Sequence, residues 1–211
     1  MRELPDPYIL AFLLADGVAL LLLFNRLLAA LRGSVSCLHG MNGTTEMLGN
    51  GYICDSARLM FLLLIPFYAL TFVVTGLSSV GYLWTLAAFL GLWLFRKLVY
   101  RTVGWLGSRP SALRAVERTG YAIGVLAILL SCLVAVLVWL IPAMPRWVSW
   151  GWVGLVAVVA FLFYVRRSFS LFFSAGFSPF FWVLYLCGLE FFILIKTIYW
   201  QCFTCYICIL I

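Results

Sequence analysis

Long apolar runs with few charged residues constrain this sequence more than any other feature. Each run is close to the ~20 residues that a helix needs to cross the hydrocarbon core of a bilayer. The runs are continuous and do not alternate between polar and apolar positions, which favours helices over barrel strands. We therefore predict an all-α polytopic membrane protein, a single integral membrane domain over residues 1–211. Its bundle of about six transmembrane helices covers residues 8–31, 59–77, 82–100, 119–141, 147–165 and 180–200.

Composition agrees with a lipid environment. The chain is 66% hydrophobic and 10% charged, with a mean hydropathy of +1.14, whereas soluble domains are about 25% charged. The N-terminal residues do not follow the pattern of a cleavable signal peptide, because Glu3 and Asp6 precede an apolar run that Asp16 interrupts. The net charge of +7 would suit nucleic acid, but the basic residues lie at the ends of apolar runs. That placement is typical of membrane topology signals, so we expect no nucleic-acid partner.

The basic residues also predict an orientation. They concentrate in the first, third and fifth loops, and the positive-inside rule assigns such loops to the cytoplasm. Both termini then lie outside. This arrangement predicts a basic cytoplasmic face that meets anionic lipid. Its members are Arg101, Arg109, Arg114, Arg118, Arg166 and Arg167.

Several segments carry local predictions. Pro110 and Ser111 can start a helix that continues into the fourth run. Pro66 predicts a kink or an irregular turn in the second run. The fifth loop, residues 166–179, is predicted to be an interfacial segment whose Phe169, Leu171, Phe172 and Phe173 enter the headgroup boundary. Glycines argue against one continuous helix in the first loop, at Gly33, Gly40, Gly43, Gly49 and Gly51.

Asp16, Glu190 and Lys196 lie inside apolar runs, where an unpaired charge is unfavourable. Glu190 lies near the middle of the sixth run, and long side chains could bring Arg96 or Lys97 of the third run to it. The favoured hypothesis is a buried ion pair between these runs; a protonatable transport site and a neutral, hydrogen-bonded Glu190 stay open. Asp16 and Lys196 either pair with each other or reach the outer interface separately.

The cysteines give weak indications of metal. Cys202, Cys205 and Cys208 have a spacing that iron–sulfur and redox motifs use, but they lie in an apolar tail where cysteine acts as a small hydrophobe. The first loop also contains residue types that bind zinc, although its two cysteines lack the short sequence spacing that is usual in zinc sites. We expect no metal and no cofactor, and we expect the loop cysteines to be reduced in the cytoplasm. The loop residues concerned are Cys37, His39, Cys54 and Asp55.

Small residues at four-residue spacing predict close helix packing. Gly120 and Gly124 open the fourth run, and Ala87 and Gly91 lie in the third. Such pairs let helix backbones approach each other. We expect these contacts to form within one chain.

Three blocks of sequence resemble a known family. The blocks are residues 95–106, with Phe-Arg-Lys-Leu-Val-Tyr leading to Gly-Trp-Leu; residues 166–169, Arg-Arg-Ser-Phe; and residues 177–196, from Phe-Ser-Pro to Lys196. In this order they resemble an uncharacterised multi-pass inner-membrane family of Bacteroidota, domain of unknown function 4271. The resemblance covers most of the chain from the second run onward. It implies a bacterial inner-membrane location and transfers no activity.

The sequence leads to three expectations for function. The first is a non-catalytic inner-membrane subunit or scaffold whose basic cytoplasmic face meets lipid or a protein partner in the membrane. The second is a small proton- or ion-coupled transporter that uses Glu190 and Asp16. A membrane enzyme comes third, because no hydrolase, metalloprotease or phosphate-binding motif is present in the sequence.

Overall fold

The computed structural model describes residues 7–74, 81–106, 110–140, 146–176, 178 and 182–183. Within these residues all regular secondary structure is helical, which confirms the all-α prediction. The helices follow one another with short breaks, several of them at glycine or asparagine. In chain order they are α1 (Pro7–Leu22), α2 (Phe24–His39), α3 (Met41–Gly49), α4 (Gly51–Val74), α5 (Tyr82–Leu106), α6 (Pro110–Leu140) and α7 (Arg146–Ser174).

Four of these helices, α4 to α7, are long and apolar enough to cross a membrane. A fifth span exists if α1 and α2 count as one broken crossing, since they meet at Leu23 with a bend of 76°. The first predicted span, residues 8–31, is therefore wrong as a single straight helix. The sixth, residues 180–200, lies outside the described residues except for Trp182 and Val183.

Packing fixes the directions of the long helices. On α4 and α6, the rings of Phe61 and Tyr121 lie 5.3 Å apart. Further along both helices in the same direction, Thr71 donates to the Cys132 thiol at 3.6 Å. These two helices therefore run parallel. A second pair of contacts, in which Trp152 of α7 donates to the Leu130 carbonyl of α6 at 3.4 Å and Gly120 lies beside Tyr164, makes α7 antiparallel to α6.

One end of the bundle carries the exposed arginines, and we call it the basic end. Here α4 and α6 begin, while α5 and α7 finish. Tyr100 of α5, Leu113 and Val116 of α6 and Leu171 and Phe172 of α7 form one buried apolar cluster there. The exposed arginines of the long helices at this end are Arg58, Arg101, Arg114, Arg118 and Arg166.

Helices α2 and α3 pack against the bundle at the basic end. On α2 the buried positions are Ala30, Gly33, Ser34 and Cys37, a spacing that places one face of an amphipathic helix against its neighbours. Gly40 separates α2 from α3 with φ 153° and ψ −175°, a conformation that is essentially restricted to glycine. The prediction that glycines interrupt the first loop is confirmed.

Two helices extend beyond the spans that the sequence predicts. Helix α4 begins at Gly51, eight residues before the predicted 59, and it is helical through Pro66. Helix α7 continues through the predicted fifth loop to Ser174. Leu171 and Phe172 are consequently buried against α6 instead of facing an interface, whereas Phe169 and Phe173 are exposed. The predicted start of α6 at Pro110 is confirmed.

The small residues divide into two groups. A Cβ added at Gly124 would lie 2.5 Å from the Phe61 ring, and one at Gly120 would lie 3.0 Å from Nη2 of Arg96. The expectation of contact within one chain is confirmed for this pair. Gly91 of the other pair has no heavy atom of the described residues within 4 Å of such a Cβ.

Candidate functional site: the basic end and its buried polar contacts

Most of the predicted basic face is exposed at the basic end. Arg101, Arg114, Arg118 and Arg166 all lie on the surface there, and Arg109 lies outside the described residues. The acidic residues Glu46 and Asp55 are also exposed on neighbouring helices. Positive side chains still outnumber negative ones on this surface, so its field favours anionic partners.

Arg167 does not belong to that exposed face. Its side chain is only 8% exposed, because it points inward from α7 to the end of α2. Nε donates to the Cys37 carbonyl at 2.8 Å and Nη2 donates to the Leu38 carbonyl at 3.2 Å. The last carbonyls of a helix lack partners within the helix and carry its negative dipole end, so a guanidinium stabilises them twice over. Arg167 thus fastens α2 to α7.

Arg96 lies in a second buried polar contact, between α5 and α7. Its Nη2 donates to the Tyr100 hydroxyl at 2.8 Å and its Nε does so at 3.2 Å. The Tyr100 and Tyr164 hydroxyls are 2.6 Å apart, and the guanidinium carbon lies 5.3 Å and 5.0 Å from the centres of their rings. Cation–π attraction and hydrogen bonding together stabilise a positive charge that the bundle half-buries.

Lys97, the other predicted partner of Glu190, faces a different neighbour. Its Nζ lies 5.1 Å from the centre of the Trp93 ring. The indole N–H of Trp93 donates to the Tyr121 hydroxyl at 3.3 Å, and that hydroxyl donates to Glu117 at 2.6 Å. Lys97 and Arg96 are therefore associated with separate polar contacts on α5 and α6.

Asp16 lies on α1 beside the far end of the bundle. Its Oδ2 is buried and has no hydrogen-bond partner among the described residues, and Tyr82 of α5 is close enough to interact with Asp16 electrostatically. The Tyr82 hydroxyl donates to the Pro66 carbonyl at 3.4 Å. Lys196, the predicted partner of Asp16, lies outside the described residues.

The four residues that could form a zinc site in the first loop do not point toward a common position. His39 is exposed, with Nδ1 3.1 Å from the Val35 carbonyl, and Asp55 is exposed on α4. In the part of the chain that the structure describes, no three His, Cys, Asp or Glu side chains could hold a metal ion. Cys37 and Cys54 both contact Met47 instead.

Glu190, Cys202, Cys205 and Cys208 lie outside the described residues, so the predictions for them stay predictions. The entry to the sixth run is partly described. Trp182 donates to the Ser168 hydroxyl at 3.2 Å and its ring meets Phe169 at 4.8 Å. This segment therefore starts beside α7 at the basic end.

Sequence reasoning missed several polar contacts. Ser34 of α2 donates to the Ala122 carbonyl of α6 at 2.6 Å, and Tyr100 and Tyr164 flank Arg96. One signal was available for the tyrosines, because Arg96 and Tyr100 are four residues apart and share a helix face. No local pattern joins Ser34 to α6 or Tyr164 to α5, since these contacts depend on how the helices pack.

No family model, no curated protein and no solved structure matches this chain.

Proposed function

We propose that this protein is a non-catalytic membrane subunit or scaffold of a bacterial inner membrane, with the basic end facing the cytoplasm. The observation that carries the proposal is that, among the side chains the structure describes on the long helices, the exposed arginines lie at one end of the bundle, where α2 and α3 broaden the surface. A surface of this kind attracts anionic lipid headgroups or an acidic protein partner. The resemblance to domain of unknown function 4271 motivates the bacterial location.

The polar interior supports an anchoring role. Arg167 of α7 donates to a main-chain carbonyl of α2. Arg96 donates to the Tyr100 hydroxyl of its own helix α5, and that hydroxyl lies 2.6 Å from the Tyr164 hydroxyl of α7. Such contacts fix α2, α5 and α7 in one arrangement. A rigid platform with a charged surface suits assembly of a partner better than it suits repeated rearrangement.

The test compares two versions of the basic end. In the first, Arg101, Arg114, Arg118 and Arg166 become glutamine; in the matched control they become lysine, which keeps the charge. We expect the glutamine variant to lose anionic lipid and bound protein during purification from native membranes, while the lysine variant retains both. Equal recovery from the two variants would contradict the proposal. Each arginine near the surface contributes about 1 kcal/mol of attraction to anionic lipid.

Orientation needs a separate measurement. Cys37 and Cys54 are buried, so an impermeant thiol reagent reports better on introduced cysteines in a chain without exposed native thiols. Glu46→Cys lies at the basic end and Trp84→Cys at the opposite end, both at exposed positions. We expect intact cells to be labelled at Trp84→Cys alone. Labelling of Glu46→Cys alone would reverse the orientation.

One observation favours the transporter as a second candidate. Asp16, in an apolar helix, has a buried carboxylate oxygen that bonds to none of the residues the structure describes, and ionisable residues in such positions often lie on proton or ion pathways. We would reconstitute the protein in liposomes and impose a pH gradient. A proton flux that Asp16→Asn or Glu190→Gln abolishes would favour transport; no flux in the unaltered protein would remove this candidate.

A further inference from the structure

At the basic end, the buried residue Met47 contacts two buried cysteines from neighbouring helices. Sγ of Cys37 on α2 lies 3.4 Å from Sδ of Met47 on α3, and Sγ of Cys54 on α4 lies 3.3 Å from the main-chain oxygen of Met47. Their side chains are 0%, 1% and 2% exposed in the order Cys37, Met47 and Cys54. Both cysteines are free thiols. The packing of α2, α3 and α4 creates this group, since the residues form no compact motif in the sequence.

We propose that Cys37, Met47 and Cys54 form a binding site for a soft monovalent cation, Cu(I). Thiolate and thioether sulfur are the ligands that select Cu(I) over harder metals. Zinc is a poorer fit, because structural zinc sites take four ligands and the neighbouring His39 and Asp55 are exposed, away from the sulfur atoms. Two thiolates and one thioether suffice for Cu(I), which accepts low coordination numbers.

The electrostatic surroundings suit such a complex. Two thiolates and one Cu(I) carry a net charge of −1, which would be unfavourable in a buried apolar site without a nearby cation. Arg167 binds the Cys37 carbonyl at 2.8 Å, and Arg118 is close enough to Cys54 to interact with its thiol electrostatically. A positive side chain therefore lies near each of the two cysteines. Binding transfers one proton from each thiol to solvent, so the affinity for Cu(I) should rise with pH.

Helix α3 gives the ion a route to the site. It is only nine residues long and lies between Gly40 and Asn50. Its outer face exposes Asn42, Thr45 and Glu46, while Met47 points inward. Displacement of this short helix would uncover the sulfur atoms without disturbing the long helices. Short surface elements of this kind open at a low free-energy cost compared with global unfolding.

The experiment measures Cu(I) binding to the purified full-length chain in detergent, without oxygen, against a coloured Cu(I) chelator. Every version carries serine in place of Cys187, Cys202, Cys205 and Cys208, so that other cysteines do not contribute. The variant is Cys37→Ser with Cys54→Ser. The matched control is Cys132→Ser, which removes a free, half-buried thiol of α6 that accepts a bond from Thr71.

We expect the parent and the Cys132→Ser control to retain about one Cu(I) per chain, as a single three-sulfur site requires. The double cysteine variant should retain none. X-ray absorption should find sulfur ligands alone. Silver(I), which imitates Cu(I) without redox chemistry, should raise the melting temperature of the parent and the control but not that of the double variant, because only a binding-competent native state gains stability.

Absence of bound Cu(I) in the parent would overturn the proposal, as would equal binding by the double cysteine variant. If that variant fails to fold, Met47→Leu decides the question, since leucine nearly preserves the volume of methionine and keeps both thiols. We expect this change to weaken Cu(I) binding about tenfold or more, by analogy with the loss of supporting groups at other metal sites. An unchanged affinity would remove Met47 from the site and refute the three-sulfur arrangement.

Discussion

Arg167 offers the sharpest test of how α2 is attached to the bundle. The change is Arg167→Met, which keeps a long apolar side chain while it removes the charge and every hydrogen-bond donor. The matched control is Arg166→Met on the adjacent residue, whose side chain is exposed. Both variants lose one positive charge at the same end of the same helix, so their difference isolates the bonds to Cys37 and Leu38.

The structure sets the size of the effect. Arg167 donates two hydrogen bonds to main-chain carbonyls, and a bond that involves a charged group contributes about 1.5–3 kcal/mol. The two bonds would then give about 3–6 kcal/mol. Removal of the guanidinium also removes the free-energy cost of burying its charge, and this gain offsets part of the loss. We therefore expect Arg167→Met to lower the free energy of unfolding by about 2–4 kcal/mol.

Two measurements check this expectation. Reversible unfolding of the purified protein in mixed micelles gives the free-energy change, and hydrogen exchange locates it. Exchange should accelerate at the end of α2 and throughout α3 in Arg167→Met, whereas Arg166→Met should resemble the unaltered protein. Comparable unfolding free energies for the two variants, with no local change in exchange, would refute the role that we assign to Arg167.

Three further changes test other contacts. Gly124→Ala should destabilise the protein by about 1–3 kcal/mol through overpacking, because the new Cβ would lie 2.5 Å from the Phe61 ring; Gly154→Ala, where the same atom meets open space, should be tolerated in the same unfolding assay. Ser34→Ala should reduce the free energy of unfolding by about 1 kcal/mol, since the 2.6 Å bond to the Ala122 carbonyl is lost, and an equal loss in the exposed control Thr45→Ala would contradict this. Tyr164→Phe should lower it by about 0.5–1.5 kcal/mol through loss of the 2.6 Å contact with the Tyr100 hydroxyl, and no loss in thermal unfolding would show that the hydroxyl pair contributes nothing.

The apolar runs predicted the long helices well, because lipid requires continuous helical hydrogen bonding and so leaves a strong signal in the sequence. Helices α5 and α7 contain the third and fifth predicted runs, and α6 covers the fourth as far as Leu140. The ends of helices left a weaker signal. Helix α7 continues to Ser174 past two arginines, because helical geometry tolerates arginine well, even though charge marks the end of the apolar run.

The first 50 residues were the hardest to predict. Hydropathy alone joined α1 to α2, yet the chain bends by 76° at Leu23, where neither glycine nor proline marks a break. The amphipathic pattern of α2 could have suggested a helix that packs on one side. The contacts of Cys37 with Met47 and with Arg167 could not have been found in this way. Met47 is 10 residues and Arg167 is 130 residues from Cys37 in the sequence, so no local pattern joins them.

The surroundings of Arg96 bear on which proposed function is the stronger one. An arginine that takes part in a transport cycle must exchange partners, whereas Arg96 is held between two tyrosine rings and bonded to the Tyr100 hydroxyl through two nitrogen atoms. Gly120 packs closely against the Arg96 guanidinium, so the Arg96 side chain lies in a closely packed position between α5, α6 and α7. If the Glu190 carboxylate reached this position, it would form a buried ion pair with Arg96, and removal of one partner would leave the other charge without its counter-ion. Because the tyrosines would still stabilise Arg96, such a pair would serve to attach the sixth run to a site that is already formed. That role agrees with an anchored scaffold and leaves Asp16 as the residue on which a transport function would depend.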